Sequence, residues 1–196
     1  MRLGFHLAAG LRVGLYGGSF DPAHGGHAHV ADTALRRLGL DRVIWLVSPG
    51  NPLKGGRETH SLERRLAGAA RLARGPRSIA SDAERRLGSR CTLDTVRRLK
   101  ARFPGVRFVW IMGADNLAAF HTWHGWTRIM REVPVAVVSR PGVAVNSRLS
   151  PMARRFAGER LASGAARRLA TTPPPAWIYL TAPLHPASST ALRNST

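Results

Sequence analysis

Histidines and glycines crowd together near the start of the chain. The stretch "GLYGGSFDPAHGGHAHV" (residues 14–30) holds five glycines and three of the eight histidines. His24 and His27 stand where an apolar, strand-like run gives way to a helix-like pattern. Because backbone amides at a helix start attract anions, two imidazoles placed there could donate N–H groups to one phosphate. The spacing alone leaves a second interpretation open, an ordinary helix start capped by Asp21 with incidental histidines.

The glycines of this stretch predict a backbone that a ligand approaches closely. Gly17 and Gly18 follow the apolar run directly and suit a loop with positive φ. The stretch matches neither the GxxxxGKS/T phosphate loop nor the GxGxxG dinucleotide fingerprint, so the histidines would have to supply the donors. A zinc site is disfavoured, since no third ligand stands near the two histidines. We interpret His29 as structural.

Strand-like and helix-like segments alternate along the rest of the chain. The predicted strands cover residues 12–16, 42–47, 77–81, 106–112, 133–139 and 176–180. The predicted helices cover residues 27–38, 62–74, 92–103, 114–120, 126–130 and 148–169, and a last helix begins in "SSTALR". This alternation predicts an α/β fold: a Rossmann-like, doubly wound parallel sheet with helices on both faces, in a single domain. Ligands of such sheets gather at the carboxyl ends of the strands, where the glycine and histidine stretch falls.

Length and composition narrow the class of protein. The 196 residues fit one domain, which we divide into a short N-terminal leader (residues 1–10) and a main domain (residues 11–196). No apolar run approaches the roughly 20 residues of a membrane span, so no membrane partner is expected. Cys91 is the single cysteine, which excludes intrachain disulfides and a cysteine-built metal cage. A reducing cytoplasm is the compartment expected.

Arginine carries almost all of the net charge of +19, because Lys54 and Lys100 are the only lysines. Six arginine pairs are spread along the chain: Arg36/Arg37, Arg64/Arg65, Arg85/Arg86, Arg97/Arg98, Arg154/Arg155 and Arg167/Arg168. Such pairs fit either a surface that attracts nucleic acid or the solvated faces of amphipathic helices. The pairs are scattered and lack the interleaved aromatic residues that stack on bases, so solvated faces are favoured over specific nucleic-acid binding.

Five motifs, taken in order, resemble those of one enzyme family. "GGSFDPAHGGH" is similar to the GxFDPxHxGH signature of the nucleotidyltransferases that carry an HxGH motif. "NPLK", "CTLDT", "WIMGADNLAAFHTWHGW" and "SSTALR" resemble successive segments of the bacterial nicotinate-nucleotide adenylyltransferases. The resemblance runs from about Val13 to Arg193, nearly the whole chain. Two departures stand out: Cys91 replaces a tyrosine usual in this family, and only three residues follow Arg193.

The resemblance implies transfer of AMP from ATP to nicotinate mononucleotide, which gives nicotinate adenine dinucleotide and pyrophosphate in NAD biosynthesis. ATP would bring Mg²⁺ on its triphosphate, and the protein alone would hold no metal. A related acceptor, nicotinamide mononucleotide or phosphopantetheine, is the nearest alternative, although the phosphopantetheine branch usually carries threonine at the position of His24. A basic nucleic-acid-binding protein is the alternative from another class. Assembly into a homo-oligomer is left open.

The matched motifs also imply the residues that bind ATP. His24 and His27 would be the catalytic pair, because they would donate hydrogen bonds to the ATP phosphates and stabilise charge that develops at the transferred group. The other residues implied to bind ATP are Gly17, Gly18, Ser19, Phe20, Lys54, Gly113, Asp115, Ser188, Thr190 and Arg193. Without the resemblance, Lys54 fits a solvated loop, Asp115 fits a helix N-cap, and "SSTALR" fits an ordinary capped helix.

The pyridine ring needs an aromatic platform, and its carboxylate needs donors. The resemblance implies that Trp123 is the platform. It also implies Thr92 and the backbone at His124 as carboxylate donors, whereas Trp126 is assigned to core packing. Neutral donors with no opposing carboxylate would favour nicotinate over its amide. Cys91 makes the wall beside Thr92 smaller than the family's tyrosine would.

Overall fold

The computed structural model of the chain describes residues 3–50, 60–89, 91–139 and 149–181. The predicted terminal helix lies outside these ranges. So do four of the residues implied to bind ATP, namely Lys54, Ser188, Thr190 and Arg193. The remaining predicted site residues are all described.

A parallel sheet forms the centre of the molecule. Seven strands within the described ranges pair in the order β3-β2-β1-β4-β5-β7-β6, and each pairing is parallel. The strands are β1 (Arg12–Gly18), β2 (Arg42–Val47), β3 (Ser78–Ser81), β4 (Arg107–Gly113), β5 (Val135–Val138), β6 (Arg160–Leu161) and β7 (Trp177–Leu180). Residues 43–47 and 108–113 are buried without a break, because both faces of the central strands are covered.

Helices cover both faces of this sheet. The α-helices are α1 (Gly25–Arg37), α2 (Leu62–Leu72), α3 (Ala83–Leu87), α4 (Thr92–Arg102), α5 (Ala114–Ala119), α6 (Trp126–Glu132) and α7 (Pro151–Arg155). Three 3₁₀ segments cover Phe120–Thr122, Ala157–Glu159 and Ser163–Thr171. The apolar side chains of α1, α2 and Ser163–Thr171 join one core cluster, and those of α3, α4, α6 and α7 join the other. The predicted doubly wound α/β sheet is therefore confirmed.

The long helix predicted over residues 148–169 is wrong. In its place the chain forms α7, a 3₁₀ turn, the two-residue strand β6 and a second 3₁₀ segment. Met152 belongs to the core cluster on one face of the sheet, whereas Leu169 belongs to the cluster on the other face. One straight helix cannot serve both faces, so the chain has to pass around the sheet edge, where β6 pairs with β7. The short helix α3 was not predicted.

Residues 3–10, interpreted from sequence as a leader, lie against the face of the sheet that carries α4. Leu3 and Leu7 are buried in that core cluster. The Phe5 ring packs on Phe103 with ring centroids 5.8 Å apart, and the Ser81 hydroxyl donates to the carbonyl oxygen of Leu3 at 2.7 Å. This segment therefore contributes packing to the same core. Among the described residues, no helix is both long enough and apolar enough to cross a bilayer.

Strand order in the sheet reverses between β1 and β4. The chain leaves β1 through α1 toward β2, and it leaves β4 through α5 and α6 in the opposite direction, toward β5. The carboxyl ends of β1 and β4, at Gly18 and Gly113, therefore flank this switch point. Open α/β sheets bind their ligands there.

Candidate active site

The two histidines of the opening stretch form the first turn of α1. His24 is the N-cap residue, and its Nδ1 accepts a hydrogen bond from the Gly26 amide at 3.1 Å. In return, Nδ1 of His27 accepts from the His24 amide at 3.2 Å. This is a capping box in which histidines take the places usually held by Ser or Thr and by Glu or Gln. The prediction that Asp21 caps this helix is wrong.

The capping box fixes the tautomer of both imidazoles. A ring nitrogen that accepts a hydrogen bond carries no proton, so a neutral imidazole that accepts at Nδ1 has its proton on Nε2. His24 and His27 are buried to 4% and 8% exposure, and their ring centroids lie 3.9 Å apart. The first turn of α1, described throughout, contains no acidic side chain. Two neighbouring Nε2–H donors at a helix start make an anion site.

Gly17 and Gly18 end β1, and the structure gives a reason for glycine there that differs from the one predicted. Neither Gly17 nor Gly18 has a positive φ; the left-handed residue is Phe20, with φ of 49°. A Cβ atom on Gly17 would lie 2.5 Å from Cη2 of Trp110, and one on Gly18 would lie 3.1 Å from the Phe20 ring. Bare backbone is therefore needed here to seat two aromatic side chains. The expected positive φ was wrong, and ATP contact at these glycines stays a prediction.

Phe20 connects this loop to the histidines. Its side chain is 1% exposed, and its ring meets that of His27 edge to face with centroids 5.0 Å apart. The ring also meets Tyr16 edge to face, with centroids 5.3 Å apart. A left-handed backbone at a bulky residue is strained and persists only where its surroundings fix it. The tight aromatic packing supplies that restraint and holds the His27 ring in place.

Arg65 of α2 binds the backbone of the same loop. This role was not predicted from the sequence. Its guanidinium donates to the carbonyl oxygens of Ser19 at 2.8 Å, Ser48 at 2.7 Å, His60 at 3.1 Å and Pro49 at 3.3 Å. Arg65 thereby ties the loop after β1 to the loop after β2. The backbone carbonyl of Ser19, a predicted ATP contact, is committed to this bond.

Five of the six arginine pairs are exposed, as the solvated-face interpretation expects, but Arg65 is only 3% exposed. A spacing signal was present in the sequence. Arg65 stands three residues after Leu62 and four before Ala69, which places it on the inward face of α2. A second missed contact joins Asp21, which is 3% exposed, to Nδ1 of His60 at 2.6 Å.

The predicted adenosine contacts follow β4. Gly113 is the last residue of β4 and the N-cap of α5. Asp115 lies in the first turn of α5 and is exposed. The interpretation of Asp115 as the N-cap was therefore wrong, since Gly113 holds that position.

The residues predicted to bind the pyridine ring come from α4 and from the loop before α6. Thr92 is the first residue of α4. Gly125, the N-cap of α6, has φ of 66°, and a Cβ atom there would lie 2.8 Å from Cδ2 of Leu93. This close approach presses the loop that carries Trp123 and His124 against the start of α4. The structure thus brings the three predicted pyridine contacts into one region.

Trp123 is half-buried at the edge of the core. Its ring meets those of Trp110 and Phe120 edge to face, with centroids 6.3 Å and 5.2 Å away. Because Trp110 also lies against Gly17, its side chain links the end of β1 to the loop that carries Trp123. Trp126 packs on Phe120 and Phe156, which confirms its assignment to core packing. His124 is exposed.

The start of α4 differs in character from that of α1. Cys91 is its N-cap, and within the described residues no side-chain hydrogen bond caps the helix. Burial raises the pKa of the Cys91 thiol, so the group stays uncharged. In the described ranges no group of three His, Cys, Asp or Glu side chains is placed to hold a metal ion.

Comparisons with known proteins agree with this geometry. The cytidylyltransferase-like family matches residues 15–195. A protein of Caulobacter sp. (strain K31), named as a probable nicotinate-nucleotide adenylyltransferase, is 66% identical over 183 residues, which cover 93% of this chain and 97% of that protein. One from Cereibacter sphaeroides with the same name is 58% identical, covering 92% of this chain and 96% of that protein.

Solved structures give the same fold. The nicotinic acid mononucleotide adenylyltransferase of Plasmodium falciparum, complexed with NaAD, superimposes with a TM-score of 0.66 at 16% identity, covering 94% of this chain and 83% of that one. The same protein complexed with APC gives a TM-score of 0.65. At this level of identity the likeness shows a shared fold, the one predicted from the sequence.

Proposed function

The chain belongs to the nicotinate-nucleotide adenylyltransferases, within the cytidylyltransferase-like family, and on that premise we propose that it transfers AMP from ATP to nicotinate mononucleotide. The products are nicotinate adenine dinucleotide and pyrophosphate. The observation that carries this proposal is the histidine capping box, which aims two Nε2–H donors at a helix start beside the switch point of the sheet.

The chemistry needs positioning and charge neutralisation more than proton transfer. A phosphate oxygen of nicotinate mononucleotide forms a bond to the α-phosphorus of ATP. The bond from that phosphorus to the bridging oxygen breaks, and its electron pair leaves on pyrophosphate. The attacking oxygen is already an anion, so no base is required. Nε2–H groups of His24 and His27 donate to the oxygens on which negative charge builds, while the positive end of α1 supports them.

Mg²⁺ belongs to the ATP substrate in this proposal. The ion neutralises the triphosphate and aids departure of pyrophosphate. The described residues that approach the phosphates are imidazoles and backbone amides, which suit an anion rather than a cation. On the family pattern, Lys54, Ser188, Thr190 and Arg193 would meet the remaining phosphate oxygens, with Gly113 and Asp115 beside the adenosine.

The start of α4 and the Trp123 loop, which form the pyridine end of the site, are proposed to recognise nicotinate in preference to nicotinamide. The nicotinate ring would stack on Trp123, and its carboxylate would accept hydrogen bonds from Thr92 and from the backbone at His124. The positive helix end of α4 and its uncharged Cys91 thiol favour an anion there, whereas the Asp94 carboxyl group in the same turn opposes one. The expectation that no carboxylate stands near these donors was wrong. A carboxylate gains more from such donors than a neutral amide does, so nicotinamide mononucleotide should be the poorer acceptor.

A reducing cytoplasm suits a chain with one cysteine. A homo-oligomer remains open. Nucleic-acid binding gains no support, because the exposed arginine pairs lie on five separate segments, in α1, α3, α4, α7 and Ser163–Thr171.

Pyrophosphate release tests the proposal. The purified protein would be given ATP and Mg²⁺ with nicotinate mononucleotide, nicotinamide mononucleotide, phosphopantetheine or no acceptor. We expect release to be fastest with nicotinate mononucleotide and absent without an acceptor. If phosphopantetheine alone supports turnover, or no pyridine nucleotide does, the proposal is wrong. Weak, salt-sensitive binding of nucleic acid would reflect only the net charge.

A further inference from the structure

A buried carboxyl group lies beneath the start of α4. Glu84 of α3 is 9% exposed, and its Oε1 lies 3.3 Å from the hydroxyl oxygen of Thr95, which is fully buried in α4. The hydroxyl of Ser48, the residue after β2, lowers the pKa of the Glu84 carboxyl group. Glu84 therefore links α3 to α4 at the pyridine end of the site. The proposed chemistry does not use it as a reactant.

The hydroxyl groups near Glu84 can also donate to backbone carbonyl oxygens. Three hydroxyls each have a backbone carbonyl oxygen within hydrogen-bond distance: Thr95 to Cys91 at 3.1 Å, Ser89 to Glu84 at 3.2 Å and Ser48 to Gly50 at 2.8 Å. Each hydroxyl has one proton to donate. The Thr95 hydroxyl has two acceptors within reach, the carbonyl oxygen of Cys91 and the Glu84 carboxyl group, and only one proton. A protonated Glu84 can donate to the Thr95 oxygen while Thr95 donates to Cys91.

Burial favours the same protonation state. Desolvation raises the pKa of Glu84 to about 7 and outweighs the hydrogen bonds from Thr95 and Ser48, which lower it. A large fraction of the carboxyl groups therefore holds a proton at neutral pH. The protonated carboxyl group can then donate to Thr95 while Thr95 donates to Cys91, and this chain of hydrogen bonds restrains the start of α4.

The network ends at the backbone that leads into Thr92. Thr95 donates to the carbonyl oxygen of Cys91, the N-cap residue of α4, and its own amide donates to the same oxygen at 3.1 Å. The hydroxyl of Ser89, in the turn before α4, lies 2.9 Å from that of Thr95. The first turn of α4 is thus fixed from its buried side.

The geometry points to Glu84 as a positioning residue: through Thr95 it sets the first turn of α4 so that the Thr92 donors meet the ring carboxylate of the pyridine nucleotide. This assignment rests on the proposed function of the site. It makes the network a determinant of affinity for one substrate, the nucleotide that carries the carboxylate, and leaves the phosphate chemistry at α1 unaffected.

Paired variants test this assignment. Thr95→Val keeps the shape of the side chain and removes the hydroxyl, whereas Thr95→Ser keeps the hydroxyl. Glu84→Leu removes the carboxyl group, whereas the amide of Glu84→Gln can both donate and accept. We expect Thr95→Val and Glu84→Leu to raise KM for nicotinate mononucleotide about tenfold, with kcat and KM for ATP changed by less than about twofold. The conservative variants should restore KM to near the unaltered value.

Glu132→Gln is the matched control, because Glu132 of α6 also contacts α4. Glu132 binds Arg97 and Lys100 at the other end of α4, on the surface, at 2.8 Å and 3.0 Å. Its replacement should leave both KM values unchanged. Thermal unfolding of every variant separates a loss of fold from a loss of position.

Three outcomes would count against the assignment. Unchanged KM values in Thr95→Val, with normal turnover by the unaltered chain, would overturn it while leaving the proposed function intact. An equal rise in both KM values, tracking the loss of thermal stability across the variants, would show a merely structural role and overturn it as well. No turnover by the unaltered chain would instead overturn the proposed function, and this assignment with it.

Discussion

Two helix starts face the same edge of the sheet and are built in opposite ways. α1 caps itself: Nδ1 of His24 and Nδ1 of His27 accept hydrogen bonds from its first amides, which leaves Nε2 of each ring as the donor. α4 begins at Cys91 with no capping side chain among the described residues, and a buried network fixes it from beneath. The phosphate end thus uses side-chain donors held by local bonds, and the pyridine end uses backbone held by distant residues.

The difference follows from what each end is proposed to bind. A triphosphate at the point of bond cleavage gathers charge, so donors that are fixed in tautomer and direction are useful there. A ring carboxylate keeps the same charge throughout the reaction, so the α4 end has only to recognise it. Substitutions at the start of α1 should therefore lower kcat/KM for the reaction as a whole. Substitutions at the start of α4 should raise KM for nicotinate mononucleotide alone.

The largest effect is expected from His27→Asn. The asparagine Oδ1 can take the place of Nδ1 in the capping box, so the helix start should survive, but the Nε2–H donor is lost. We expect kcat/KM to fall by about two orders of magnitude or more, with little change in the thermal midpoint. Steady-state kinetics and thermal unfolding measure the two effects, with His29→Asn as the control. A twofold fall would make His27 a structural cap only.

Glu84 gives a prediction for the α4 end that needs no substrate. In the unfolded chain the carboxyl group loses its proton near pH 4.5, whereas burial holds the proton to about pH 7 in the folded chain. The unfolded state therefore releases protons first, and stability present below pH 4.5 is lost as the pH rises through about 7. The loss is on the order of 3 kcal/mol or less.

Urea unfolding of the unaltered chain and of Glu84→Gln, at about pH 5 and about pH 8, measures this loss. The glutamine variant has no proton to release at this position, so its stability should change less between the two pH values. Equal changes in the two proteins would show that the carboxyl group is not held protonated by burial.

Trp123→Ala should have the smallest of these effects, confined to the pyridine end. Loss of the platform should raise KM for nicotinate mononucleotide about tenfold and leave KM for ATP within about twofold. Trp123→Phe should recover part of the affinity, because a smaller ring still stacks. Trp126→Phe, on the packed side, is the control. A similar rise in KM for ATP would mean that Trp123 only supports the core contact with Trp110.

The self-capped start of α1 could be predicted from sequence because its residues are neighbours. The three-residue spacing of His24 and His27 contains the capping box, although the only cap considered from the sequence, in the second interpretation, was Asp21. Apolar runs likewise predicted the central strands, since parallel strands are buried on both faces. Local spacing and composition were sufficient for that much.

The support under α4 could not be predicted, because it joins residues far apart in the chain. Nothing in the sequence marks Glu84 as buried. Two charged residues follow it, Arg85 and Arg86, and both are exposed, as such a charged run predicts. The bonds of Arg65 could not be predicted for a related reason: its carbonyl partners come from the loop after β1 and from residues between β2 and α2, and a carbonyl leaves no sequence signal. The helix predicted over residues 148–169 failed because propensity cannot show that a segment must change faces of the sheet.

The central claim is that the capping box holds His24 and His27 as Nε2–H donors, and side-chain ¹⁵N NMR measures this directly. Spectra of the uniformly labelled protein near neutral pH, assigned with His27→Asn, distinguish a protonated ring nitrogen from an unprotonated one. The account predicts, for both residues, an unprotonated Nδ1 and a protonated Nε2, which should persist when ATP and Mg²⁺ bind. A proton on Nδ1 of either histidine would contradict it, because the capping bonds and the outward donors could not then exist together.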